Sequence, residues 1–267
     1  MPVATDYPYG IDMSRFQYSA DGTVLFDFDK LMQHPDGPKF IGIRAGISWG
    51  YTDPWFARSF AEAKRVGLYR LPYHVPYFGE SAQAQADHFF RITADADWDH
   101  DRAVLDCEVA GLNSKATITA TTSRILEICK ARTGRYPLIY SRKGWVDQYM
   151  SVADLPKVDW WLANYLTALP YPAFTPEKDP PPLLPVGVTE WVIHQTASNG
   201  DGKAHGAASH WIDRDRFNGT QKSLDAYFGY IEKTIEERVS ECEKRIAALE
   251  VQAHSHVNLP IVLNGGA

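Results

Sequence analysis

Between residues 9 and 213 the chain alternates short β-like runs with helix-like stretches, and this alternation is the strongest constraint on its fold. Residues 40–47 (FIGIRAGI) are apolar and rich in isoleucine, as a strand covered on both faces should be. Asp53-Pro54 then opens a helix, because Asp suits an N-cap and Pro the first helical position. Phe56, Phe60, Ala63 and Val66 follow at helical spacing, and Gly67 ends the stretch. The same logic predicts strands at residues 9–16, 69–75, 103–109, 137–140, 160–165, 190–196 and around 210–213. Helices are predicted near 25–33 and 145–150 and over 81–96 and 113–132. Strands separated by helices predict parallel βαβ units. Eight such strands predict an α/β chain of the modified (β/α) barrel type, TIM-barrel-like with an irregular last third. An open doubly wound sheet satisfies the same periodicity. Residues 170–185 hold seven prolines and read as a loop, as does the Gly-rich run at 199–206.

The character changes near Ser223. Phe228, Ile231, Ile235, Cys242, Ile246 and Leu249 keep a three/four spacing with Glu, Lys and Arg between them. We therefore divide the chain into a barrel, residues 1–222, and a helical tail, residues 223–267. The tail is either a short coiled coil or a helix packed back on the barrel. As a coiled coil, residues 223–252 would join copies of the chain or a larger assembly. The formal charge of −6 disfavours nucleic acid as a partner, since phosphate contacts need concentrated Lys and Arg. Three cysteines make no disulfide scaffold. The first residues, MPVATDYP, lack a basic and then apolar leader, so no signal peptide is expected. No apolar run approaches the ~20 residues that span a bilayer, so no membrane insertion is expected.

In a parallel barrel, chemistry sits at the carboxyl ends of the strands. The run Ala103-Val104-Leu105 is apolar and then turns acidic at Asp106 and Glu108. Residues i and i+2 of a strand face the same side about 7 Å apart, so both carboxyls share one pocket and Cys107 points away. Two close carboxyls disfavour joint ionisation, and one of them keeps a proton. A protonated and an ionised carboxyl side by side suit glycosidic cleavage. A pair of surface acids at a strand end is the plainer alternative. Asp12 follows Tyr9-Gly10-Ile11, and Asp213 follows Trp211-Ile212. In a closed barrel the first and last strands are neighbours, which brings all four acids to one mouth. Tyr73, Tyr140, Trp161 and Tyr165 stand at strand ends where rings can stack on sugars, with core packing as the alternative for Tyr140 and Trp161, and His74 late in the third strand either contacts substrate or is a hydrogen-bonded core histidine.

Gly10-Ile11-Asp12-Met13-Ser14 through Gln17 resembles the opening G-I-D-[VM]-S-x-x-Q motif of glycoside hydrolase family 25, the Chalaropsis-type muramidases. Tyr73-His74-Val75, Leu105-Asp106-Cys107-Glu108, Trp161 to Tyr165 and Asp213 to Phe217 resemble the family's later motifs in the same order. The resemblance implies a modified barrel that hydrolyses the β-1,4 bond between N-acetylmuramic acid and N-acetylglucosamine in bacterial peptidoglycan, with net retention and without metal or cofactor. It implies Glu108 as general acid and base, and Asp106 as the group that stabilises positive charge or orients the 2-acetamido group. Asp12 and Asp213 complete the acidic site. Tyr73, His74, Tyr140, Trp161, Tyr165 and Gln195 would contact substrate. Two departures lie near the cleft. Gly46-Ile47-Ser48 replaces a Thr-Glu-Gly run, and His194-Gln195-Thr196 replaces Trp-Gln-Tyr. A phage lysin released from the host cytoplasm, or a wall-digesting part of a virion tail, fits the expected lack of a leader, and a bacterial enzyme exported by a non-classical route is the alternative. The competing readings are a non-catalytic wall-binding or virion protein that keeps the barrel, a chitinase-like enzyme, and a metal-dependent hydrolase using His74 and His194.

Overall fold

The computed structural model describes residues 7–35, 37–165 and 180–230, together with residues 239 and 246. The strands are β1 (Tyr9–Met13), β2 (Phe40–Ile47), β3 (Tyr51–Thr52), β4 (Tyr69–Val75), β5 (Val104–Asp106), β6 (Leu138–Ser141), β7 (Trp160–Ala163), β8 (Ile193–Asp201) and β9 (Trp211–Phe217). The helices are α1 (Phe28–Met32), α2 (Phe56–Arg65), α3 (Ala82–Ile92), α4 (Lys115–Thr133), α5 (Lys143–Tyr149) and α6 (Gln221–Tyr227). The sheet runs β1-β9-β8-β7-β6-β5-β4-β2, and β1 also pairs with β2, so eight strands close a barrel and β3 hangs on β2 as a hairpin. Closure rules out the open doubly wound alternative. The barrel is mixed: β9 runs antiparallel to both β1 and β8, while the other barrel pairs are parallel.

Local chemistry sets the boundaries. Ser81 and Ser114 cap α3 and α4 by accepting backbone N–H bonds, and Gly134 ends α4 in a left-handed conformation. The helix expected to open at Asp53-Pro54 starts instead at Phe56, after a turn. The Asp53 carboxylate accepts from Trp55 N–H, but it also accepts from Arg15 N–H and pairs with Arg44. The strand expected over 103–109 is assigned only to Val104–Asp106. The residues expected to form a Gly-rich loop continue β8 to Asp201, with register shifts on either side of Ala197.

Side chains that alternate inward fill the barrel. Phe40, Leu71, Val104, Leu138, Ile193 and Phe217 pack with Trp161, and Leu224 and Phe228 join them. Segment 221–228 therefore belongs to the barrel's own compact unit, which ends at Gly229. His100 bonds to Phe228 O, and Arg102 donates to Tyr227 O, so the plug is fastened by polar contacts as well as by packing. Residues 231–252, apart from 239 and 246, lie outside the described residues, and so do most of the proline-rich loop and Cys242. Nothing among the described residues supports a coiled coil. Cys107 and Cys129 are buried free thiols. No helix among the described residues is long and apolar enough to cross a membrane.

Gly42 is required by the interior. A Cβ there would stand 2.5 Å from the Trp161 ring and 2.8 Å from Asp12 Cβ. Gly42→Ala is expected to cost about 1–3 kcal/mol, the usual cost of overpacking. Urea midpoints of the two proteins measure it, and an unchanged midpoint would refute the packing argument.

Candidate active site

The carboxyl ends of the parallel strands open into a cavity of about 250 Å³. Asp12, Asp106, Glu108 and Asp213 line it, as do Tyr73, Tyr140, Trp161, Tyr165 and Gln195. Asp106 and Glu108 follow the expected alternation although β5 ends between them. Cys107 N–H still bonds to Tyr140 O, and Ser141 Oγ donates to Cys107 O at 2.7 Å. These bonds keep the chain extended, so Cys107 packs among Ile118, Ile125 and Leu126 while its two acidic neighbours face the cavity.

Asp213 arrives by a different route from the one expected. It stands near the start of β9, not at the end of a parallel strand. Because β9 runs the other way, its amino end lies at the same mouth, and Asp213 sits directly opposite Asp12 in register. Directly opposed residues point to one face of the sheet.

Gln195 is the hub of the polar network. Its Oε1 accepts from Tyr140 OH at 2.9 Å and from Tyr165 OH at 3.2 Å, and its Nε2 donates to Asp12 Oδ2 at 2.6 Å. The two hydroxyls fix the amide orientation, and the amide in turn fixes Asp12. Gln195 lines the cavity and also positions Asp12 within it. Asp215, two residues beyond Asp213, is fully buried behind this layer, and its Oδ1 accepts from Trp161 Nε1 at 2.8 Å.

Burial dominates the electrostatics. Asp12 is pushed up to about 7 by burial, with the charge of Glu108 adding to it and the Gln195 bond opposing it. Asp106 rises well above the ordinary carboxylate range through burial and then through the charges of Glu108 and Asp12. Asp213 and Asp215 rise for the same reasons, burial first and neighbouring acids next. Glu108, the less buried member, is raised by burial and drawn back by Arg142. Arg44 is the one cation lining the cavity among the described residues, and Asp53 Oδ2 holds its Nε and Nη2 at 2.9 Å each.

His74 does not reach the cavity. Tyr73 faces inward, so its neighbour faces outward by the two-residue period of a strand. His74 packs edge-on against Phe89, and neither ring nitrogen has a hydrogen-bond partner among the described residues. Burial, then the charge of His88, lowers it to about 3. His194 likewise faces away. Its Nδ1 accepts from Arg216 Nε, which leaves Nε2–H to donate to Asn164 O. The expectation that His74 contacts substrate is thus overturned by strand parity. Sequence reasoning missed Asp215, Arg44, Ser14 and Phe16 at the site. The D-x-D spacing of residues 213–215 was the available signal for Asp215.

Comparison with known proteins gives a consistent picture. The model of the family described as Glycosyl hydrolases family 25 matches residues 11–205. YegX of Escherichia coli K12, itself uncharacterised, is 28% identical over 228 residues, covering 85% of this chain and 75% of YegX. The N,O-diacetylmuramidase of a Chalaropsis species is 30% identical over 150 residues, 51% of this chain and 66% of that protein. The structure of a muramidase from Trichobolus zukalii superposes with a TM-score of 0.63 at 25% identity, covering 83% of this chain and 99% of that one. A lysozyme from Streptomyces coelicolor gives 0.66 at 23% identity over 86% and 100%. Asp213 and Asp215 lie beyond the matched family segment; the pairing of β9, the cavity lining and the Trp161 bond place them at the site.

The raised Asp12 has a thermodynamic sign. Between the ordinary carboxylate value of 3.8 and about 7, the unfolded chain gives up this proton while the folded chain keeps it. Stability therefore falls as pH rises through that window. Asp12→Asn removes the charge yet keeps an acceptor for Gln195. It should melt a few degrees above the wild type at pH 8, given about 2–4 °C per kcal/mol for a chain near this size. Near pH 4 the two should melt together. Calorimetry at both pH values checks this, and equal melting at pH 8 would contradict the burial penalty.

Proposed function

The chain belongs to glycosyl hydrolase family 25 and is a glycoside hydrolase, and from that premise we propose that it is an N-acetylmuramidase acting on bacterial peptidoglycan. The bond cleaved is the β-1,4 link between N-acetylmuramic acid and N-acetylglucosamine. The observation that carries the reading is the pair Asp106 and Glu108, which face one cavity in unequal surroundings. The names of the Chalaropsis and Trichobolus relatives support the substrate class.

In this reading Glu108 is the general acid. It is the acid nearer solvent, and burial keeps its proton at a pH where a free glutamate has lost it. It protonates the leaving oxygen and later takes a proton from the attacking water. Asp106 lines the same cavity, and this reading assigns its carboxyl as the acceptor for the N–H of the 2-acetamido group. Asp106 and Glu108 stand two residues apart on one extended segment, about 7 Å along the backbone, and a substrate-assisted route requires neither to bond to the anomeric carbon. We assign the attack on the anomeric carbon to the acetamido oxygen, with net retention. Asp12 and Asp213 set the field around both groups, and Tyr73, Tyr140 and Tyr165 offer ring faces to the sugars, while the buried Trp161 packs edge-on against Tyr140.

Mass spectrometry of soluble fragments from purified peptidoglycan tests this. The wild type should release fragments ending in reducing muramic acid. Glu108→Gln should be slower by about 10²–10⁴-fold, the usual contribution of a general acid. Fragments ending in reducing glucosamine would keep a glycosidase but change the bond. No fragments from either protein, on several wall types, would favour a wall-binding role. The kcat/KM of the wild type should also fall on the alkaline side as Glu108 gives up its proton. That limb should lie above the pH at which an ordinary glutamate titrates.

A further inference from the structure

A second cavity, of about 550 Å³, opens beside the first and shares Glu108 and Tyr165 with it. Its walls are balanced in charge, with Arg142 and Lys143 standing beside Glu108 and Asp147. The catalytic cavity is lined by four carboxyl groups and one arginine, whereas the side cavity carries Arg142 and Lys143, with Asn164, Asp147 and Leu183. Lys143 is matched within the wall: its Nζ holds Asp147 Oδ2 at 2.6 Å, and Asp147 Oδ1 accepts from Val186 N–H. Arg142 is not matched. Its carbonyl anchors the start of α5 by accepting from Trp145 and Val146. Its side chain is exposed and makes no ion pair or hydrogen bond among the described residues. The Ser141–Cys107 bond ties together the segments just before Arg142 and Glu108, which fixes the arginine beside the acid.

On the muramidase reading, the sugar next to the cleaved bond carries a lactyl ether, and from it hangs a peptide stem with free carboxylates. The stem branches sideways from the glycan, so it leaves the cleft through a lateral opening. The catalytic cavity offers it no ready cation, since the arginine lining it, Arg44, is already paired with Asp53. We propose that the side cavity receives this anionic stem, with Arg142 pairing one of its carboxylates and Asn164 offering its amide to the stem backbone. This rests on the muramidase reading and adds to it a specificity determinant outside the acidic centre. Arg142 is held to bind the stem and not to take part in bond cleavage. A guanidinium matches a carboxylate with two parallel N–H donors, which an ammonium cannot do.

The test compares two substrates: glycan strands bearing their stems, and the same strands after an amidase has removed them. The readout is the ratio of kcat/KM on the first to kcat/KM on the second. This ratio cancels any effect of Arg142 on the Glu108 proton, since both substrates meet the same acid. For the wild type the ratio should exceed one. In Arg142→Ala it should fall about three- to tenfold, the size of a part-exposed charge-assisted pair, and mainly through KM. Arg142→Glu should lower it further, and Arg142→Lys should recover part of it. A ratio unchanged in Arg142→Ala and in Arg142→Glu, with an active wild type, overturns the proposal alone. A wild type that cleaves neither substrate overturns the muramidase reading and this proposal with it.

Discussion

Carboxyl groups gathered in about 250 Å³ above an apolar barrel interior cannot all carry charge. Phe40, Leu71, Val104, Leu138, Ile193 and Phe217 exclude water from below, and Arg44, the one cation lining the cavity among the described residues, is already held by Asp53. The protons therefore stay on the carboxyls far above their ordinary range. The rest of the architecture serves this arrangement. The plug formed by α6 and Phe228 seals the interior from the far end, and Gly42 makes room for the Trp161 ring that supports Asp215.

Gln195 shows how the cluster avoids disorder. A free amide can present either end, but two tyrosine hydroxyls claim its oxygen and leave its nitrogen to Asp12. Three side chains, from β6, β8 and the segment just after β7, thus orient one acid. Such a site opposes the fold's own stability at neutral pH, because ionisation gained on unfolding is denied in the folded state. The buried Arg70–Asp101 pair, with contacts of 2.9 and 2.7 Å, ties β4 to the segment that leads into β5.

Much of this was legible in the residues. The strand at 40–47 and the strand at 69–75 were bounded correctly because their apolar runs are long and punctuated by Gly and Pro. The placement of Asp106 and Glu108 followed from the two-residue period alone. What failed did so for physical reasons. His74 was assigned beside Tyr73, although adjacent residues of a strand cannot share a face. The direction of β9 was invisible, since an alternating pattern reads the same both ways and only its pairing with β1 and β8 decides it. Asp215 was passed over because it makes no rim of the cleft; it acts from behind, through Trp161 and Asp12.

The sequence of β9, Trp-Ile-Asp-Arg-Asp-Arg-Phe, carries a consequence for how such a barrel can change over generations. Asp213 and Asp215 point inward, and Arg214 and Arg216 point outward over Tyr9 and Trp191. Acid and base alternate with the same period as the pleat. Losing or gaining one residue between the hairpin and Asp213 would turn the strand over and aim two guanidinium groups into the cavity in place of two carboxyls. The same few residues would then line an anion site. Point substitutions along β9 alter the site by degrees, whereas a frame slip of one residue inverts its sign, so length in this strand is more tightly constrained than identity.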